Sequence, residues 1–181
     1  STTYTHSYTD GNGCSNTSAP AQVTVYALPV VTLANANGCV GSPVDLTGKG
    51  TPGGGNYNVS NPYSGSSTSY TYTYSDGNGC TNSSSANIVV NPLPDVHAGT
   101  GYQMNCNDTI IPLHGISATP NAQFNWQGSN GGHVSANQNS ADPSIDAHGH
   151  FTLTVTDPAT NCSASDATDV AFDPCIFPGR S

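Results

Sequence analysis

Aromatic or aliphatic residues alternate with Thr and Ser in three segments of the chain. Residues 70–75 read YTYTYS, and residues 4–9 and 151–156 follow the same period of two. This period is typical of β-strands with one buried face. The sequence DGNGC follows the first and second of these segments, and Asn-Gly after an alternating run is a strong hairpin signal. We therefore predict hairpins there, and the segment FTLTVTDPATNC aligns with them.

The first two segments belong to a longer repeat. Residues 4–14 and 70–80 are near copies, 66 positions apart, and each leads through a polar stretch to an apolar strand and a Leu-Pro pair. Self-similarity at a fixed period is typical of module arrays, which usually span distance or present a surface.

The repeat divides the chain into four parts. Residues 1–28 hold only two predicted strands, which cannot bury a core, so we interpret them as the C-terminal strands of a truncated module. Residues 29–94 and 95–173 are predicted to be complete modules, and residues 174–181 to begin a following segment. Short strands, Gly/Pro/Asn turns and the lack of helical periodicity predict an all-β fold of tandem β-sandwiches in an extended array.

Composition and charge exclude several function classes. The formal net charge is −9, with Lys49 and Arg180 as the only Lys or Arg side chains, which argues against nucleic-acid and anionic-lipid partners. No apolar run approaches the ~20 residues of a membrane span. Asp142 and Asp146 lie among turn residues, and no Ser elbow for a catalytic triad is present. We expect no enzymatic activity.

The cysteines suggest a disulfide framework in an oxidising compartment. No CxxC pair is present, and each complete module has one cysteine near its start and one near its end. The expected bonds are therefore Cys39–Cys80 and Cys106–Cys162. This leaves Cys14 and Cys175, whose mates either lie in flanking sequence or belong to neighbouring subunits.

Several motifs resemble a known family. The segments YTYTYSDGNGC, NPLP and CVGSPVDLTG are similar to the immunoglobulin-like (Ig-like) repeats of large secreted proteins of Bacteroidota. The segments DVHAGTGYQMNC, LHGISATPNAQFNWQGSNGG and DAHGHFTLTVTDPATNC resemble the polycystic-kidney-disease-type (PKD) domains of the same proteins, and CIFPGRS resembles the start of the segment that often follows them. The resemblance implies an Ig-like module at 29–94, a PKD-like module at 95–173, and export to the cell surface, often by the type IX route.

Two features could hold a cation. Asp10 and Asp76 open sequences that resemble the start of a calcium loop, but the fifth position is cysteine and the chain has no Glu, so a hairpin turn explains both motifs and calcium is the alternative. His148 and His150 share a strand face, either as metal ligands or as solvated side chains. No other cofactor is expected.

Two further residues are candidate sites for sugars. Trp126 is either a core residue or a platform on which a glycan stacks. Thr109 lies in an Asp-Thr-Ile sequence that matches the O-glycosylation pattern of Bacteroidota, which implies an exposed loop.

These observations predict a non-catalytic, extracellular structural or adhesive segment of a large bacterial surface protein. The alternatives are a self-assembling filament subunit and a spacer or carbohydrate-binding module of a secreted hydrolase. The expected partners are neighbouring modules of the same chain, other copies in a fibre, or surface glycans.

Overall fold

The computed structural model describes residues 1–174, and every helix or strand in that range is a β-strand. The predicted all-β fold is confirmed. Cys175 and the segment CIFPGRS, where a following segment was predicted to begin, lie outside the described residues. Within 1–174 no helix is present that could cross a membrane.

The chain divides into two compact units. The first unit comprises residues 1–35, 46–61 and 69–87, and the second comprises residues 36–45, 62–68 and the chain from residue 88 onward. The module boundaries that the repeat predicts, at residues 28, 94 and 173, stay predictions.

Residues 1–28 form two short antiparallel pairs without a core. β1 pairs with β4 and β2 pairs with β3, so the alternating run at 4–9 is interrupted rather than forming one strand. Nearly every side chain is exposed, including Tyr8 at 66%. As expected for so few strands, no apolar face is buried here. The strands are β1 (Thr2–Tyr4), β2 (Ser7–Thr9), β3 (Ser15–Thr17) and β4 (Ala21–Val23).

Six strands follow between residues 32 and 91. Two of them, β5 and β7, pair with each other, and the other four form a sheet in the order β6-β10-β9-β8. β6 runs parallel to the C-terminal part of β10, with Cys39 opposite Asn91. The strands are β5 (Thr32–Leu33), β6 (Ala36–Cys39), β7 (Gly50–Thr51), β8 (Asn56–Tyr57), β9 (Thr68–Ser75) and β10 (Thr81–Asn91).

Tyrosines form the core of the first unit and also fix its loops. Tyr70 and Tyr72 on β9 are buried, as the alternation predicts. The Tyr72 hydroxyl donates a hydrogen bond to the Pro52 carbonyl and accepts one from the Gly55 N–H at 2.7 Å. The rings lie so close that a Cβ on Gly50 would stand 2.4 Å from the Tyr72 ring. Packing against the Tyr72 ring therefore explains the glycines at 50 and 55 of the glycine-rich run.

The second unit contains a sandwich of two sheets. The four-stranded sheet has the order β11-β17-β16-β13, and the three-stranded sheet has the order β12-β15-β14. The strands are β11 (Tyr102–Asn105), β12 (Ile111–Pro112), β13 (Gln123–Ser129), β14 (His133–Ala136), β15 (Ser144–Ala147), β16 (Gly149–Thr156) and β17 (Ser163–Asp173).

The inward faces of these sheets supply one hydrophobic core. Phe151, Leu153 and Val155 alternate along β16 and are fully buried, which confirms the predicted period of two. The opposite sheet contributes Ile145. The remaining buried members of this core are Ala98, Met104, Leu113, Trp126 and Val170.

Candidate functional site

Three hairpin turns begin with an aspartate whose N–H donates a hydrogen bond to the carbonyl of the cysteine that ends the turn. In the first, an Asp10 carboxylate oxygen accepts hydrogen bonds from the N–H groups of Asn12 and Cys14, both at 2.9 Å. In the second, Asp76 does the same for Asn78 and Cys80 at the same distances. An Asp side chain that caps its own turn explains why Asp begins the motif.

The third turn is one residue longer and serves the same purpose. The Asp157 carboxylate accepts a hydrogen bond from the Ala159 N–H at 2.9 Å, and the Asp157 N–H donates to the Cys162 carbonyl at 2.9 Å. Asn161 has a φ of 59°, where the shorter turns have Gly13 at 85° and Gly79 at 82°. Asn tolerates this left-handed region better than most residues. The sequence DPATNC can therefore form a turn where the other two hairpins have DGNGC.

A hydroxyl pair follows each turn at the first rung of the hairpin. The side-chain oxygens lie 2.6 to 2.8 Å apart in the pairs Thr9–Ser15, Ser75–Thr81 and Thr156–Ser163. The third segment is therefore structurally equivalent to the two near-identical copies, although only the cysteine and the aspartate of its turn are shared with DGNGC.

The calcium hypothesis for Asp10 and Asp76 loses its main support. One carboxylate oxygen of each accepts two backbone N–H groups, so the side chain stabilises the turn rather than facing a cation. Within residues 1–174, no group of three His, Cys, Asp or Glu side chains is arranged to hold a metal ion.

The disulfide bond of the structure joins Cys39 to Cys162, with 5.7 Å between the Cα atoms. Both cysteines belong to the second unit. Cys39 is the last residue of β6, whereas Cys162 is the last residue of the third turn and is fully buried. The bond therefore links the predicted 29–94 repeat to the predicted 95–173 repeat.

The predicted Cys39–Cys80 bond is wrong because of the length of β10. Cys39 lies opposite Asn91 at the C-terminal end of β10, and Cys80 immediately precedes its first residue. Eleven residues of extended strand span about 35 Å at ~3.3 Å per residue. A disulfide needs Cα atoms within about 7 Å. The two cysteines thus lie at opposite ends of one long strand.

The predicted Cys106–Cys162 bond is wrong for the same reason. β11 runs parallel to β17 with Asn105 opposite Asp173, so Cys106 lies at the C-terminal end of β17. Cys162 precedes the first of the eleven residues of β17. Cys106 is disulfide-bonded, but not to Cys162.

Two classes of cysteine emerge from these positions. Strand-end cysteines lie at the C-terminal end of a strand that pairs in parallel with the last strand of a predicted repeat. Cys39 is the last residue of β6, and Cys106 directly follows β11. Turn cysteines close the Asp turns; they are Cys14, Cys80 and Cys162. Cys14 is exposed, Cys80 is half-buried, and both are free thiols. Cys80 was predicted to be bonded to Cys39, and the structure shows it as a free thiol instead.

Trp126 is a core residue and offers no platform for a sugar. Its side chain is fully buried among the inward-facing residues of the sandwich, and its indole N–H has no hydrogen-bond partner. Gly115 faces this ring, since a Cβ there would lie 3.0 Å from the indole. The glycan-stacking hypothesis is therefore wrong for this residue, and the core alternative is confirmed.

Four histidines of the second unit each lie beside an aspartate carboxylate on its surface. His150 lies 2.8 Å from Asp169 on the neighbouring strand, and His133 lies 2.6 Å from Asp146. His148 instead contacts the Phe172 ring, with centroids 5.0 Å apart. The two candidate metal ligands, His148 and His150, therefore contact different neighbouring side chains.

Thr109 lies in an exposed bend after β11. The Asp108 carboxylate beside it accepts a hydrogen bond from the Asn105 N–H at 2.8 Å, which shapes the bend. The position is accessible, as the glycosylation hypothesis requires, and the modification itself stays a prediction.

Asp166 is a structural carboxylate that the sequence analysis missed. It accepts a hydrogen bond from the Ala98 N–H at 2.8 Å and so fixes residues 95–101 against β17. This bond, a second one from the Ala167 N–H and the nearby His97 lower the pKa of Asp166 below its usual value, against a smaller opposing effect of burial. No local sequence signal marks it, because its partner is 68 residues away.

A groove of about 550 Å³ lies beside Cys39 in the second unit. Its lining contains no charged side chain and consists of residues 39–43, residues 64–67 and Val90. Serine hydroxyls and aliphatic groups alone indicate no particular reaction.

Comparisons with known proteins show low similarity. No protein-family model matches the chain, and no curated protein matches it. The solved PKD domain (329-428) of human KIAA0319 is 17% identical, with 48% of this chain and 86% of that chain covered and a TM-score of 0.40. The PKD domain of the KIAA 1837 protein is 21% identical, with 48% and 92% covered and a TM-score of 0.39.

One further match covers a longer part of the chain. Drosophila N-cadherin EC1-4 is 11% identical, with 77% of this chain and 48% of that chain covered and a TM-score of 0.37. Similarity at this level assigns no family to the chain, so its function is inferred from the geometry of its own residues.

Proposed function

We propose that the chain is a non-catalytic structural or adhesive segment of a large extracellular protein of a bacterial surface. The observation that carries this proposal is the Cys39–Cys162 disulfide, which joins the predicted 29–94 repeat to the predicted 95–173 repeat across 123 residues of sequence. A bond between these predicted repeats would resist their separation, which suits a stalk or adhesin under tension.

The chemistry of the polar residues supports a structural role. The carboxylates of Asp10, Asp76 and Asp157 cap their own turns, and that of Asp166 holds a backbone N–H of another segment. Groups that already make such hydrogen bonds are poorly placed to act as general acids or bases.

The compartment follows from the sulfur chemistry. Disulfides persist in oxidising environments such as the cell surface and are rare in the cytosol. The resemblance to secreted proteins of Bacteroidota, including export by the type IX route, supports the same location.

The partners in this proposal are first of all the neighbouring repeats of the same chain. Trp126, the aromatic residue considered for carbohydrate binding, is buried and cannot stack on a sugar. Surface glycans and other copies in a fibre would have to be bound by the exposed hydroxyl and amide groups of the sheets.

Small-angle scattering of the whole 181-residue chain tests the stalk proposal. A single compact domain of this length has a radius of gyration of about 16 Å. We expect a clearly larger value that does not change with protein concentration. A value near 16 Å would contradict a role as an extended spacer.

A further inference from the structure

We propose that the turn cysteines Cys14 and Cys80 are disulfide acceptor sites for strand-end cysteines of other repeats of this class. Each would form the bond that Cys162 forms with Cys39. This inference rests on the hairpins and not on the proposed function.

The equivalence of the three turns supports this proposal. The N–H of the aspartate donates to the carbonyl of the turn cysteine in all three, with 2.9 Å for Asp10–Cys14, Asp76–Cys80 and Asp157–Cys162. Each turn cysteine therefore closes its hairpin with the same backbone hydrogen bond, although the third turn is one residue longer. One of the three, Cys162, is bonded to a strand-end cysteine.

The length of the last strand removes the nearest alternative partner. Cys80 and the strand-end cysteine of its own repeat, Cys39, lie at opposite ends of β10, about 35 Å apart by strand length. Cys39 is also already bonded to Cys162. A partner for Cys80 must therefore come from another repeat.

The surroundings of both thiols leave room for a partner. A Cβ built on Gly11 or Gly13 beside Cys14, or on Gly77 or Gly79 beside Cys80, would meet no other atom within 4 Å. The tips of both hairpins are thus open, and Cys14 itself is exposed while Cys80 is half-buried.

The reaction is thiol–disulfide exchange with a small-molecule disulfide such as oxidised glutathione. The Cys80 thiolate attacks one sulfur, which gives a mixed disulfide and one glutathione thiolate. The thiolate of the strand-end cysteine then displaces the second glutathione. Two protein thiols and one oxidised glutathione become one protein disulfide and two reduced glutathiones.

A mixing experiment tests this pairing directly. An isotope-labelled donor chain carries Cys162→Ser, Cys14→Ser and Cys80→Ser, so that Cys39 is its free strand-end cysteine. It is mixed with unlabelled wild-type chain in a glutathione redox buffer. We expect labelled Cys39 peptides joined to unlabelled Cys80 or Cys14 peptides, and a disulfide-linked heterodimer on a non-reducing gel.

The matched control is the same donor with Cys39→Ser added, which should abolish the heterodimer. A donor that keeps its β-sheet circular dichroism but forms no labelled–unlabelled link overturns the proposal. So does a product dominated by wild-type dimers joined turn to turn.

Disulfide mapping of the native full-length protein gives a second test that needs no variant. We expect the Cys80 peptide to be bonded to a cysteine that follows a short strand in another repeat. A non-reducing gel then shows whether that repeat belongs to the same polypeptide or to a second copy. A free thiol at Cys80 in the native protein contradicts the inference.

Discussion

Single hydroxyl groups fix the loops of the first unit. The Tyr72 hydroxyl bonds both ends of the 52–55 loop, while no hydrogen bond is seen for Tyr74 within residues 1–174. We expect Tyr72→Phe to lower the free energy of unfolding by roughly 1–3 kcal/mol, because it leaves the Gly55 N–H without its partner. Tyr74→Phe on the same strand is the control and should change little. Equal effects of the two substitutions in urea denaturation would refute this role.

The ionised carboxylate of Asp166 should make the free energy of unfolding depend on pH. Hydrogen bonds from the Ala98 and Ala167 N–H groups lower its folded-state pKa, so its contribution is present above the ordinary carboxyl pKa of about 4 and is lost as the pH falls through the folded value. We expect Asp166→Asn to be less stable than wild type at pH 6.

The difference should shrink as the pH is lowered below about 4, as measured by denaturant midpoints. Asp173→Asn, at the exposed end of the same strand, is the control. If the difference in denaturant midpoint between wild type and Asp166→Asn stays constant down to pH 2, the charge of Asp166 contributes nothing to stability.

The hairpin turn is the recurring element, and substitutions can distinguish the roles of its two glycines. Gly77 and Gly79 both have open space around them, but only Gly79 has a positive φ, 82°. We expect Gly79→Ala to destabilise the chain by about 1 kcal/mol, since an L side chain is strained there. Gly77→Ala should be close to neutral. Thermal denaturation measures both, and the reverse order would contradict the turn geometry.

Element type was predictable from the sequence, whereas element pairing was only partly so. The alternation at 70–75 and 151–156 predicted β9 and β16, because a period of two is a local property of the chain. The parallel pairing of β6 with β10 is not local: it joins residues 52 apart and left no periodic signal. The hairpin at DPATNC was recognised only by alignment, because Asn161 replaces the expected glycine.

The error in the disulfides arose at the scale of the whole molecule. Cysteines at both ends of a repeat suggest a bond inside it, but the long strands β10 and β17 place those cysteines at opposite ends. Trp126 was correctly placed near the core as one alternative, since a lone tryptophan on a sandwich strand usually packs inward. The strand length, once known, decides which cysteines can meet.

The Cys39–Cys162 bond also has a larger effect on the unfolded chain than the predicted Cys39–Cys80 bond would have. Closing a loop of about 120 residues removes more conformational freedom than closing one of about 40, and the chain-entropy estimate is roughly 5 kcal/mol. A disulfide that closes a long loop is therefore an effective way to stabilise a small sandwich.

Proteolysis of the unreduced chain, with free thiols blocked beforehand, followed by mass spectrometry of the linked peptides tests the central claim most directly. For the isolated 181-residue chain, the account predicts that the Cys39 peptide is joined to the Cys162 peptide, while Cys80 and Cys14 carry the blocking group. A Cys39 peptide joined to Cys80, or a blocked thiol at Cys39, would contradict it.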